Sequence, residues 1–158
     1  MDVRRYPASR RHPQFGAKAL VRALSAHGIA YEHEPALGGH REPWPDSTNL
    51  FWRIAAFRGY ADYMQTAPFT GALARLVARA ASAPTAILCA EKAPSDCHRQ
   101  LIADVLVARG HAVTHLVEAE TATVHRLNAG AVVDEDGNVT YPAATQVRRS
   151  GLRSLLEP

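Results

Sequence analysis

Apolar positions recur along this chain in two rhythms, short unbroken runs and stretches with helical spacing. Thr85-Ala-Ile-Leu88 is an apolar run that reads as a buried strand over 84–89, closed by Cys89. Arg99 to Arg109 places Leu101, Ile102 and Val105 on one face of an amphipathic helix. The same spacing predicts a helix from Phe15 to His27, with Ala19, Leu20, Ala23 and Leu24 on its apolar face and Gly28 just past its end. After a short helical turn at Tyr60 to Gln65, Thr66 caps a further helix through Ser82, with Leu73, Leu76, Val77 and Ala80 facing inward. Short strands are expected at 2–4, 29–33 and 111–117. Val132-Val133-Asp134…Asp136-Gly137…Val139-Thr140-Tyr141 reads as a hairpin, because Asp-Gly is a strong turn signal. Strands alternating with helices predict an α/β fold: a mostly parallel sheet with flanking helices, three-layered, plus a small C-terminal hairpin.

Between these elements, Pro35 to Asn49 is a long irregular loop, and loops of that length in compact domains tend to be functional or disordered. Trp44 and Trp52 either form a lid over it or anchor it. A chain of 158 residues fits one domain, predicted over 1–145, followed by a basic, frayed tail over 146–158 that carries Arg148, Arg149 and Arg153. No run approaches the roughly 20 apolar residues of a membrane helix, and Met1-Asp2-Val3-Arg4 lacks the apolar core of a signal peptide. The expected setting is cytoplasmic, without a membrane partner, and the two cysteines are expected as thiols.

Charge adds little by itself. The net charge is +3, but only two of the 18 basic residues are lysines, so arginine abundance in an alanine-rich chain reads as compositional bias. Clustering says more. Arg4-Arg5…Arg10-Arg11-His12 is a dense basic arm suited to an anion such as phosphate.

The chemistry concentrates in Cys89-Ala-Glu-Lys-Ala-Pro-Ser-Asp-Cys97-His98-Arg99. Both cysteines, Glu91, His98 and Arg99 gather where a predicted strand's carboxyl end meets a helix's amino end, the usual place for a site in an open α/β sheet. Ser95 reads as the helix cap, so that Cys97 and His98 fall in the first turn, beside N–H groups with no intrahelical partner. That position, with Arg99 adjacent, favours the thiolate form of Cys97, while Asp96 works against it. The plainer alternatives are a core-filling Cys89, a satisfied buried His98 and a solvated Glu91. There is no G-x-G-x-x-G after a strand, no P-loop and no Cys-x-x-Cys pair.

These residues also carry a resemblance. Cys89-Ala-Glu-Lys…Cys97-His98-Arg99, Leu37-Gly38-Gly39-His40-Arg41, Phe57-Arg58-Gly59-Tyr60-Ala61-Asp62-Tyr63-Met64 and Asp2-Val3-Arg4…Pro7-Ala8-Ser9-Arg10 resemble, in order, the signatures of the domain-of-unknown-function 488 family. The resemblance implies a small bacterial-type cytoplasmic α/β domain in which these motifs, with Arg4, Arg10, Gly38, Gly39, Arg41, Arg58 and Tyr63, meet at one site. It brings no reaction with it. Members of that family begin with a further strand and helix, so this chain is expected to show an exposed sheet edge, open to homodimer formation.

Three functional classes follow. The first is an enzyme with Cys97 as nucleophile, Cys89 as second sulfur, His98 and Glu91 as supporting groups, and Arg99 or Arg4 clamping a small anionic or phosphate-bearing substrate. The second is a zinc or iron site with Cys89, Cys97 and His98 as ligands and a fourth position open to water or Glu91. The third is a nucleic-acid or nucleotide binding module, the arginine arm holding phosphate and the Tyr60/Tyr63 pair holding a base. The first is favoured, because two sulfurs, an imidazole and a carboxylate at one turn serve no obvious purpose in binding alone.

Overall fold

A computed structural model describes residues 1–143. The basic tail predicted over 146–158 lies outside the described residues. The chain divides into two compact units, one built from Met1–Gly39 and Ala67–Glu91, the other from His40–Thr66 and the chain from Lys92 onward. Its elements are helices α1 (Ala17–Ser25), α2 (Ala55–Tyr63), α3 (Ala67–Ser82) and α4 (Arg99–Ala108), and strands β1 (Thr114–Glu118), β2 (Thr121–Val124), β3 (Val132–Val133) and β4 (Val139–Thr140). No helix of the described residues is long and apolar enough to cross a membrane.

In the first unit, α3 buries Phe69, Ala72, Leu73 and Leu76. Val3 and Leu37 are fully buried in the same unit. The helix predicted over 15–27 is shorter and begins behind a separate 3-10 turn at Pro13–Phe15. It ends as expected: Gly28 takes φ +69°, and the Ile29 N–H reaches back to the Leu24 carbonyl, closing a Schellman-type cap. Its apolar face is not sealed, since α1 contains no buried residue.

The mixed α/β character stands, but the mostly parallel, three-layer sheet is corrected. Both described sheets are two-stranded and antiparallel, β1 with β2 and β3 with β4. Of the parallel pairing there remain two single bridges, Asp2 to His33 and Asp2 to Leu88. The runs at 29–33 and 84–89 do flank residue 2, as their sequence suggests, yet each ladder stops after one rung. Beside the 29–33 run the reason is local: the backbone N–H of Arg4, next to face that run after Asp2, turns to the Asp2 carboxylate at 3.0 Å instead.

In the second unit, α4 buries Leu101, Ile102, Ala103 and Val105, the face read from the sequence. It ends with Gly110 at φ +83° and the His111 N–H on the Leu106 carbonyl. The run expected as a parallel strand over 111–117 is instead the first arm of an antiparallel hairpin, with Thr114 opposite Val124 and His115 opposite Thr123. The expected C-terminal hairpin forms, Val133 pairing with Val139 and Gly137 taking φ +73°. The loop leading into α2 is held by Asp62, whose buried carboxylate accepts from the Trp44 N–H (2.9 Å), Ser47 Oγ (2.7 Å) and Asn49 Nδ2 (2.7 Å). Trp44 is thus anchored by its backbone while its side chain stays exposed.

Candidate functional site

Asp2 and Arg4 form the polar centre of the first unit. Asp2 is fully buried and Arg4 nearly so, and the guanidinium holds the carboxylate through Nε (2.9 Å) and Nη2 (2.5 Å). Tyr31 Oη donates to Asp2 at 2.7 Å, Arg4 Nη1 to the Phe15 carbonyl at 2.8 Å, and His33 Nε2 lies 2.8 Å from the Arg4 carbonyl. Burial opposes the charge on Asp2, but the donors from Arg4 and Tyr31 prevail and hold its carboxyl below the usual range. The Tyr31 phenol is pushed up to about 12 by burial and by the Asp2 carboxylate. Arg4 therefore arrives with its charge already met, in a sequence-predicted anion-binding position.

A pH dependence follows. A carboxyl whose folded value is depressed adds stability that is complete above its unfolded value, near 3.8, and is lost as pH falls through the lower folded value. Urea denaturation of the wild type between about pH 5 and about pH 2 should show a loss that Asp2→Asn does not share. Equal acid sensitivity in the two proteins would contradict this.

The other predicted residues of this unit are dispersed. Arg10 is exposed, and Gly38 and Gly39 are buried. A Cβ on Gly38 would stand 2.9 Å from the backbone of Arg5, so the residue is there for close packing. Cys89, half-buried, points its thiol at Glu91, with Sγ 2.8 Å from Oε2. No disulfide links the two cysteines.

In the second unit the helix start differs from the expected one. Pro94–Asp96 form their own 3-10 turn, so Ser95 is not the cap of α4. Cys97 is extended, at φ −130° and ψ 140°, and His98 is the N-cap. Cys97 thus sits two residues before the first helical residue, Arg99, instead of within the first turn. Its sulfur nonetheless does the capping: the Arg99 N–H lies 3.5 Å from Sγ and the Arg99 Nε–H 3.1 Å from it, while His98 Nδ1 is 3.8 Å away. Two N–H donors, one of them cationic, favour a thiolate over a thiol. The side chain is 1% exposed, which admits only small reagents.

Aromatic contacts tie this corner to three other predicted residues. The His98 ring lies 4.9 Å from the Tyr60 ring, Tyr60 lies 6.1 Å from Tyr63, and the Arg41 guanidinium sits 3.6 Å above the Tyr63 ring. Tyr60 is fully buried and has no open face on which a base could stack. Gly59 explains the close packing here, since a Cβ would fall 2.2 Å from the Arg41 carbonyl oxygen. Arg58 lies half-buried on α2.

A polar cluster not anticipated from the sequence occupies the same unit. Asp104, fully buried on α4, accepts from His125 Nε2 (2.8 Å) and the Asn128 N–H (3.0 Å) on one oxygen. Its other oxygen accepts from Asn128 Nδ2 (2.6 Å) and Tyr141 Oη (2.6 Å). Burial and the adjacent carboxylate raise the Tyr141 phenol far above its ordinary value, so it stays a donor. His125 Nδ1 in turn lies 2.8 Å from His115 Nε2. The sequence gives no signal for this cluster, because His115 pairs with Thr123 and His125 lies two residues beyond that partner.

Comparison with known proteins gives one match: the family described as Domain of unknown function DUF488 matches residues 1–106. No curated protein and no solved structure matches the chain.

Proposed function

Because the chain belongs to the DUF488 family, whose function is unknown, we propose its activity from the site alone: a cysteine-centred enzyme acting on a small anionic substrate. Cys97 is the nucleophile, and Arg99 both stabilises its thiolate and draws an anion to it. The observation that carries this reading is the Arg99 Nε–H on Cys97 Sγ at 3.1 Å, reinforced by the Arg99 backbone N–H. A structural cysteine needs neither donor. The near-complete burial of the sulfur supports a small substrate.

Paired alkylating reagents test the proposal. Iodoacetate and iodoacetamide differ mainly in charge, and a cation beside the sulfur should reverse the usual advantage of the neutral reagent. Cys97, followed by peptide mass spectrometry, should react with iodoacetate faster than with iodoacetamide, and Arg99→Leu should remove that preference. A Cys97 that favours the neutral reagent in the wild type would refute the anion site.

A further inference from the structure

We propose that the imidazole of His98 is the base of this site, its Nδ1 taking the proton from the Cys97 thiol and holding it. The proposal rests on the thiolate reading above and adds the group that receives the proton.

The backbone sets the two side chains side by side. Cys97 is extended, and His98 is already helical at φ −57° and ψ −16°. The first turn of α4 fixes both residues. The Gln100 N–H bonds the Cys97 carbonyl at 3.1 Å, and the Leu101 and Ile102 N–H groups share the His98 carbonyl at 3.0 and 3.3 Å. Sγ and Nδ1 then meet at 3.8 Å, a long contact of the kind that tightens when substrate binds. Packing decides which nitrogen faces the sulfur. The ring lies against the fully buried Tyr60, centroids 4.9 Å apart and planes 54° apart, and its Nε2 is buried.

Burial of the sulfur makes a neighbouring base necessary. With Cys97 1% exposed, hydroxide and buffer bases have poor access to the S–H, so an adjacent side chain has to receive the proton. Arg99 cannot, because a guanidinium carries donors only, whereas a neutral imidazole has one bare nitrogen. A Cys–His pair is an established way to activate a sulfur nucleophile. The transfer balances: the S–H bond breaks, its electron pair stays on sulfur, and an N–H bond forms at Nδ1. The thiolate is then met by three donors, the Arg99 N–H and Nε–H already on it and the new Nδ1–H. The thiolate lies against the imidazolium so formed, which offsets the repulsion from the Arg99 guanidinium. The other nearby cation, Arg41, sits over the Tyr63 ring at 3.6 Å.

Carboxymethylation of Cys97 in the full chain, at mildly acidic pH, reads the base. His98→Ala should react at least about tenfold more slowly than the wild type, a part of the roughly 10²–10⁴-fold that a positioned base contributes. Added imidazole should restore much of the rate, while pyrazole, of the same shape but hardly basic, should not. Mere refilling of a cavity would make the two equal. Circular dichroism checks that the variant is folded. A second readout needs no variant at all. Imidazole-nitrogen NMR near neutral pH should find hydrogen on both nitrogens of His98 in the untreated protein, and on only one after Cys97 is capped with iodoacetamide. An unchanged rate in folded His98→Ala, no greater rescue by imidazole than by pyrazole, or a His98 signal that ignores capping would each overturn the base and leave the thiolate reading standing. A wild-type Cys97 inert to both haloacetyl reagents would remove the thiolate reading, and the base's role with it.

Discussion

Replacing Asp104 by alanine is expected to destabilise the second unit by about 3–5 kcal/mol, because several buried donors lose their acceptor at about 1–3 kcal/mol each. Four donors converge on this one side chain, and three residues that provide them belong to segments otherwise far from α4: His125 at the end of β2, Asn128 beyond it, and Tyr141 after β4. Removing the carboxylate leaves the fully buried Tyr141 hydroxyl and the His125 Nε2–H without an acceptor. Neither can be hydrated without opening the core. Urea denaturation followed by Tyr and Trp fluorescence measures the loss. A cost below about 1 kcal/mol would show that the network is hydrated and not load-carrying in this sense.

The second large effect is expected at Asp62. Its carboxylate gathers the loop before α2 through Trp44, Ser47 and Asn49, and Asn49 in turn accepts the Tyr141 N–H at 2.7 Å. Asp62→Ala strands the Nδ2 donor of a fully buried Asn49 and the Trp44 N–H, at about 1–3 kcal/mol for each donor left buried and unpaired. Proteolysis in the segment between Arg41 and Arg53 should rise correspondingly, because a loop that loses its anchor opens locally. Unchanged cleavage there would show that Trp44 and Asn49 are held by something other than Asp62.

How much of this was legible in the sequence depends on where the determining interaction lies. Helix α4 was, because Leu101, Ile102 and Val105 keep helical spacing and Gly110 ends it; α3 and the C-terminal hairpin were, for similar local reasons. The parallel sheet was not. Apolar runs at 29–33 and 84–89 announce burial, but whether a ladder continues past its first rung depends on where each backbone N–H goes. At Arg4 it goes to a side chain. The β1–β2 hairpin was missed because Glu118 to Thr121 carries no Gly, Asn or Pro turn signal.

The site divides in the same way. Cys97, His98 and Arg99 adjoin in the chain, so their cluster was visible, although the helix starts three residues later than its Ser95 signal suggests. Asp104, His115 and His125 are spread over 21 residues, and only the pairing of β1 with β2 sets one imidazole against the other. Arg4, read as an anion ligand from its basic neighbourhood, is met by Asp2, whose burial the sequence does not reveal.

The most direct test of the central claim is the ultraviolet absorbance of the Cys97 thiolate as a function of pH, taken as the difference between the wild type and Cys97→Ser. With Arg99 donating to the sulfur, the Cys97-dependent signal should persist well below the ordinary cysteine value of about 8.5. A signal that appears only at or above about 8.5 would identify Cys97 as an ordinary buried thiol and contradict the account.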